Sequence, residues 1–445
     1  MARLEVLEKE VAHLRRENLD LRERLAKFEN PKNSGNSSIP PSKDENRPRK
    51  NQSLRKTTGK KPGGQPGHKG TTLKMIADPD RIVELRPDYC RACGSPLAGA
   101  PPVQGKSRQT VDIPPVKAVW TEYRTYGAIC GCGCTTIADF PEEAGSPVSY
   151  GSNIEGLIGY FHARQYLPFK RMKEMMGDVF NIDISEGGIH YLLARFADRS
   201  TPLYETIRQR VAASPVVGAD ETGVKVNGEK HWFWTWQNGL LTYIAHSQSR
   251  GKAAIDAHFP GGFPGATLVR DGWRPQTGTV AAHHQTCLAH LLRDLNYLVQ
   301  KYDGTQWAAD FRKLLLDAIE LERRGSCEKY GNERTEIVQR LQKILGEPPD
   351  KKHKELYTFH RRMCRERQNL LTFLYMPEVP PDNNGSERAV RNVKVKQKIS
   401  GQFKNTRTAQ NFAKIRSVID TTIKNDMNVL DALSLIAKLQ PQTSN

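Results

Sequence analysis

The sequence predicts a multidomain α/β protein, and three observations carry that prediction. Two apolar runs of strand character each deliver an acid, Asp220 in PVVGADETGVKV (residues 215–226) and Asp271 in GATLVRDGW (residues 265–273). Long stretches on either side of them carry helical rather than alternating periodicity. Composition also changes abruptly along the chain, from a heptad repeat to a Pro/Gly/Ser-rich basic stretch to a Cys-bearing stretch.

Val216 and Val217, with small Gly218 and Ala219, read as a strand buried on both faces. Val224 and Val226 read as a second short strand returning from it. HWFWTWQNG alternates His231, Phe233 and Thr235 with Trp232, Trp234 and Trp236; LLTYIAHSQSR and TLVRDGW read as the next strands. These aromatics belong to a core rather than to a base-stacking surface.

An acid closing a buried strand is costly unless a cation or donor meets it. One such Asp beside Gly reads as a turn cap; two ask for another account. A third acid, Glu387, lies in DNNGSERAVR, where Asp382, Asn383 and Asn384 offer helix N-caps. Alone, Glu387 makes an i,i+4 pair with Arg391, worth about 0.3–0.5 kcal/mol. Together, three carboxylates can converge on a pair of Mg²⁺ ions, hard cations that take oxygen ligands and keep positions open for water and phosphate. Two such ions can clamp an in-line phosphodiester displacement. Glu221 is a spare acid that either supports the site or faces solvent.

GADETGVKV, VRDGW, CLAHLLRDL and DNNGSERAVRNVKVKQKISG, in that order, resemble the catalytic region of bacterial transposases of the insertion-sequence-sixty-six family, over residues of about 215 to 431. The resemblance implies an Asp-Asp-Glu site on a ribonuclease-H-like fold. Asp220, Asp271 and Glu387 would be its catalytic residues and would bind Mg²⁺ (or Mn²⁺). It implies cutting at transposon ends and joining to target DNA, with no covalent protein–DNA intermediate, and accessory proteins from the same element. A catalytically inactive DNA-binding regulator and a ribonuclease-H-like structure-specific nuclease are the alternatives; the presence of all three acids weighs against the first.

Bulk properties agree. A formal charge of +18 on 445 residues points to a polyanionic partner. No apolar stretch reaches the ~20 residues of a membrane span and no signal peptide is visible. Eight scattered Cys do not form a disulfide framework. A reducing bacterial cytoplasm, with the protein on the nucleoid, fits best.

Residues 1–30 read as a leucine-zipper-like coiled coil, with Leu4, Val11, Asn18 and Leu25 at a and Leu7, Leu14, Leu21 and Phe28 at d. The g-to-e′ pairs Glu10–Arg15, Glu17–Arg22 and Arg24–Glu29 are opposite in sign, and one Asn at a favours a parallel homodimer. Residues 31–78 read as a basic linker, disordered alone, with Lys60, Lys61 and Lys69 as candidate phosphate contacts.

Residues 79–145 carry Cys90-x-x-Cys93 and then Cys130, Cys132 and Cys134, with one or two strands expected between the clusters. Four thiolates suit a structural Zn²⁺. The resembled family places a small zinc-binding domain here, although three Cys stand where two are expected, and the choice among them is open.

Residues 146–210 read as three helices, the third opened by Ser185 as N-cap. They resemble a helix-turn-helix with Ser185, Glu186 and His190 facing bases; a plain helical bundle is the rival. The catalytic domain spans residues 211–431, interrupted by a helical insertion at about 295–378, and 432–445 is a tail. Cys287 and His290 stand at i,i+3 on a helix, where two ligands leave zinc incomplete. His290 is read as a supporting or DNA-contacting group, Cys287 as packed, and Arg293 as a phosphate contact. Past Glu387 the chain is basic, and Arg388, Arg391, Lys394, Lys396 and Lys398 are read as DNA contacts.

Overall fold

The computed structural model describes residues 2–29, 31–33, 36–37, 44–45, 73–103, 105–114, 116–302, 305–325 and 331–439. Lys60, Lys61 and Lys69 lie outside them. The chain forms two compact units, residues 51–119 and the remainder, and each is described by itself.

In the smaller unit, a turn at the first Cys pair is closed by Cys90 N–H to Ser95 O (2.9 Å) and Gly94 N–H to Cys90 O (2.9 Å). The alternation beyond it does not become strand. Val111, Ile113 and Val119 are 75–91% exposed, so no apolar face exists for that alternation to cover.

The larger unit opens with α1 (Ala2–Glu29), a single helix whose heptad residues Leu7, Val11, Leu14, Leu21, Leu25 and Phe28 are exposed. Past it the chain docks: Lys32 pairs with Glu355 (2.6 Å) and Asn36 Nδ2 donates to Gln300 (3.4 Å). The start of the expected free linker is therefore held on the helical part of the protein. The interval between the Cys clusters yields only β1 (Gly127–Ile129), which forms a hairpin with β2 (Thr135–Ile137).

The helical segment contains four helices rather than three: α2 (Ser152–Ala163), α3 (Phe169–Phe180), α4 (Glu186–Arg199) and α5 (Thr201–Ala212). Pro202, in the first turn of α5, marks the break. Ser185 does cap α4, accepting from Gly188 N–H (3.0 Å), and Asn181 turns the chain between α3 and α4 in the left-handed region. Glu155 of α2 is fully buried between Arg199 (2.6 Å) and Arg195 (2.8 Å) of α4.

Next comes a five-stranded mixed sheet: β3 (Val216–Val226), β4 (Glu229–Gln237), β5 (Thr242–Ser247), β6 (Phe263–Arg270) and β7 (Ala281–Thr286), in the order β5-β4-β3-β6-β7. β3, β4 and β5 are antiparallel neighbours, while β6 runs parallel to β3 and β7 to β6. The two short strands expected around Asp220 are one continuous eleven-residue strand, because β4 pairs with it from Gly218 to Val226. Two short helices, α6 (Lys252–His258) and α7 (Arg274–Thr277), flank β6. The aromatics of β4 are core: Trp234 and Trp236 stack at 5.7 Å and Phe233 is fully buried.

A helical block follows: α8 (Leu288–Lys301), α9 (Gln306–Arg323), α10 (Gly331–Gly346) and α11 (Lys354–Glu366). Leu291, Leu295, Phe311, Leu315, Leu356 and Met363 fill its core, which is continuous with Val269 of β6. The chain then returns to the sheet through α12 (Asn384–Ser400), α13 (Thr406–Lys424) and α14 (Val429–Ala437). The edge strand β5 does not stay open, for Ser417 and Thr421 of α13 accept the N–H groups of Ile244 (2.8 Å) and Thr242 (3.1 Å). Among the described residues no helix is long and apolar enough to cross a membrane.

Replacing Glu155 by Ala strands two arginines in the helical core. The expected loss is about 3–5 kcal/mol of unfolding free energy, read by urea denaturation, with Glu155→Gln falling between the variant and the parent.

Candidate active site

The site is built where β6 ends beside the middle of β3. Pairing of β3 with β6 stops at Gly218 opposite Val269, and two residues further along each chain stand Asp220 and Asp271. Register alone thus makes the two acids neighbours. Asp220 Oδ1 accepts the N–H of Glu221 (2.8 Å), and Asp271 Oδ1 accepts that of Trp273 (2.7 Å). Among the described residues neither acid forms an ion pair with a Lys or Arg. Burial pushes the Asp220 carboxyl well above its ordinary value, and the charges of Glu221, Asp271 and Glu387 push it further.

Glu387 arrives from the first turn of α12. The Asn383 side chain donates to Ala219 O (2.6 Å), one residue before Asp220, and its Oδ1 accepts from Ser386 (2.6 Å). Asn383 therefore does not cap α12 with its side chain; it binds the helix to the strand instead. The approach is close enough to require glycine on both sides. A Cβ on Gly218 would lie 2.7 Å from Gln237 Nε2 and Ser386 Oγ, and one on Gly385 would lie 2.6 Å from Gln237 Nε2.

The flanking acids do have cations. Glu387 pairs with Arg293 (3.1 Å), Arg391 (3.3 Å) and the His290 imidazole (3.8 Å). Glu221 is buried, bound by Arg250 (2.7 Å) and by the Gln276 amide. Arg250 in turn lies over Trp273 (3.8 Å to the ring centre) and Trp232 (4.9 Å). Burial and the charge of Asp271 still raise the Glu221 carboxyl, against the lowering effect of Arg250. Arg270, 1% exposed, donates to Asp271 O (3.1 Å), His284 (3.0 Å) and Glu366 (2.9 Å), so it braces the backbone at Asp271 without neutralising its side chain.

The three acids do not close into one compact cage. Among the described residues the set of three ligand atoms mutually within 4.8 Å is Cys287, His290 and Glu387. Cys287 is fully buried, accepts Asn383 N–H (3.2 Å), and is pushed up to about 11 by burial. Burial and Arg293 hold His290 below its ordinary value, while Glu387, Asp271 and Asp294 act in the opposite sense. Sequence reasoning had the Cys-x-x-His pair but not its third member, which joins it only through the fold.

The basic run past Glu387 divides by helical phase. Arg388, Arg391 and Lys398 are exposed. Lys394 donates to Gly223 O, and burial and Lys230 lower its ammonium. Lys396 is only 4% exposed, faces His162 Nδ1 (3.3 Å) and is lowered to about 8 by burial, so it does not reach the surface where a phosphate would lie. Lys424 is likewise internal, satisfying Gln237 Oε1 (2.6 Å) and the carbonyls of Asn238 and Leu241. Ser185 and Glu186 are exposed, whereas His190 is half-buried against Phe169.

The cysteine turns are exposed apart from Cys90. Hydrogen bonding from Ser95 lowers the Cys93 thiol to about 7. At the tip of the β1–β2 hairpin, Cys130 N–H donates to Cys134 O (2.8 Å), and hydrogen bonds from Cys134 and Cys130 lower Cys132.

Comparison with known families gives two matches. The family described as Transposase IS66 family matches residues 148–411, more than half of the chain. A family of unknown function (DUF6444) matches residues 2–74. Among curated proteins there is no match.

The raised carboxyls make stability depend on pH. The folded state holds protons that the unfolded chain, titrating near pH 4, has already released, so unfolding free energy falls as pH rises between those values. In chelator at about pH 8, Asp220→Asn should therefore melt above the parent, by ~2–4 °C for each kcal/mol recovered. The gap should close toward pH 4. Melting curves with the same pH profile in both proteins would refute the assignment.

Proposed function

The chain belongs to the IS66 family of transposases, and from that premise we propose that it cuts DNA at the ends of a mobile element and joins them to target DNA. The observation that carries the reading is the strand register that sets Asp220 and Asp271 side by side, with the charge of Glu387 also acting on Asp220. The strand order, with three antiparallel strands followed by two parallel ones, supports a ribonuclease-H-like catalytic core.

Asp220, Asp271 and Glu387 would hold Mg²⁺ or Mn²⁺. Their fit rests on two observations: the donors are hard carboxylate oxygens, and among the described residues the two aspartates form no ion pair with Lys or Arg while their neighbours do. Such ions supply positive charge at the phosphodiester and lower the cost of ionising the attacking hydroxyl. The residues of the chain do the positioning. Asp220 and Asp271 are fixed by strand register, Glu387 by Asn383, and Arg293 and His290 orient its carboxylate. Arg388, Arg391 and Lys398 are exposed on the helix that carries Glu387, suited to backbone phosphates, whereas Lys394 is engaged by Gly223 O.

Around that core, α1 serves as the homodimer seam, since its a and d residues are exposed and its flanking charges are complementary. Cys90 and Cys93, with two of Cys130, Cys132 and Cys134, are proposed ligands of structural Zn²⁺; hydrogen bonds that favour thiolate at Cys93 and Cys132 support this. The α3–α4 pair, with Ser185 and His190 at the start of α4, is proposed to meet DNA, as are Lys60, Lys61 and Lys69.

Asp220→Asn, Asp271→Asn and Glu387→Gln should each abolish Mg²⁺-dependent cleavage of element-end DNA, while gel-shift affinity for that DNA persists. Undiminished cleavage by any one removes that residue from the site. Among the cations, Arg388→Ala or Lys398→Ala should reduce the slope of log K against log salt by ~1 each. Lys396→Ala should leave the slope unchanged.

A further inference from the structure

We propose that Cys287, His290 and Glu387 form a second metal site, for a thiophilic divalent cation of the Zn²⁺ class, and that this site competes for the carboxylate the catalytic cluster uses. The competition rests on the transposase reading; the binding does not.

Geometry comes first. The three ligand atoms lie within 4.8 Å of one another. Ligands of a tetrahedral Zn²⁺ at 2.0–2.3 Å stand roughly 3.3–3.8 Å apart, so closure needs about 1 Å of movement. Cys287 is held on both sides, its N–H by Arg270 O (2.8 Å) and the next N–H, of Leu288, by Pro381 O (2.9 Å). His290 follows three residues later on the first turn of α8, and its Nε2 faces Glu387 Oε1 at 3.8 Å. The Asn383 N–H donates to Cys287 Sγ at 3.2 Å, the kind of contact that orients and steadies a metal thiolate. The same Asn383 stands at the start of the helix that carries Glu387.

Chemistry then selects the ion. A sulfur, an imidazole nitrogen and one carboxylate suit Zn²⁺ and discriminate against Mg²⁺, which prefers an all-oxygen octahedral shell. Binding releases the thiol proton to solvent and leaves a thiolate, a carboxylate and a neutral imidazole around a dication, an arrangement with no net charge. Three protein ligands leave the fourth position to water. Glu387 Oε1 must leave Arg293, whose side chain is 31% exposed and can turn outward; Arg391, 71% exposed, holds only the other oxygen. A carboxylate drawn to Cys287 and His290 is no longer offered to the ions of Asp220 and Asp271.

The test uses the full-length protein titrated with Co²⁺ as a spectroscopic stand-in for Zn²⁺. The cysteine turns also take this ion, so the readout is a difference. The parent should bind one more equivalent than Cys287→Ser and than His290→Ala, and Cys287→Ser should also lose that equivalent's share of the thiolate-to-cobalt absorption. Asp220→Asn should keep that equivalent. Circular dichroism verifies folding, and the half-exposed His290 provides the variant if Cys287→Ser does not fold. Equal stoichiometry in the parent and the folded variants overturns the site. For the competition, Zn²⁺ added to the Mg²⁺ cleavage reaction should suppress it when the extra equivalent is bound; cleavage at full rate with that equivalent bound overturns the sharing of Glu387. Failure of the parent to cleave with Mg²⁺ alone would count against the transposase reading, while the cobalt difference would still decide the metal site.

Discussion

Four carboxyl groups brought to one end of a sheet repel one another, and much of the surrounding structure exists to hold them there. Asp220 and Asp271 are forced together by parallel strand register, which no side-chain rotation can undo. Glu221 and Glu387 are tolerated because Arg250 pairs with the first and Arg293 and Arg391 with the second. Of the four, Asp220 and Asp271 are thereby the carboxyls without a Lys or Arg partner among the described residues. A protein seeking stability alone would not leave it so, since a buried carboxylate without a partner costs several times what an exposed one does. Under the proposed function, paired outer acids around an inner pair that has no Lys or Arg partner among the described residues are what a cation site requires.

Rigidity comes from backbone and buried polar contacts rather than from the acids themselves. Asn383 ties α12 to the strand bearing Asp220, and a Cβ at Gly218 or Gly385 would displace the Gln237 amide, and at Gly218 also the Ser386–Asn383 contact, between helix and sheet. On the other flank, Arg270 joins the strand before Asp271 to Glu366 at the end of the helical block. A buried arginine deprived of Glu366 would be left charged and unpaired, so the helical block is coupled to the site although it supplies none of the three acids.

The strand before Asp271 and the helix that carries Glu387 in its first turn were legible in the sequence because each pattern is local, whereas Asp220, read at a strand's end, lies inside β3. The heptad helix and the Ser185 cap were legible for the same reason. What escaped depends on partners distant in the chain. Glu221 looked like a spare acid, and only the packing of Arg250 between two tryptophans buries it. The strand through Asp220 read as two pieces because Asp and Gly interrupt its apolar pattern, yet β4 pairs with it throughout. Of the one or two strands expected between the Cys clusters only Gly127–Ile129 forms; around Val111, Ile113 and Val119 the alternation is present, but these side chains are exposed.

The basic stretch after Glu387 is the most instructive case, because charge counting treats all its cations alike. Helical phase does not. Positions 388, 391 and 398 recur at three- and seven-residue intervals on the outer face of α12, while 396 falls on the face that carries Ala389 and Val393 into the core. One helix therefore carries the inward acid at its first turn and the outward cations along the rest, from residue 387 to 398, roughly 16 Å at 1.5 Å per residue. In the proposed function that rigid spacing sets where a phosphate backbone can rest relative to the carboxylates. Any shift of α12 moves both together, and Asn383, at its start, contacts the strand at Ala219 O, the Ser386 hydroxyl and the thiol of Cys287 at once.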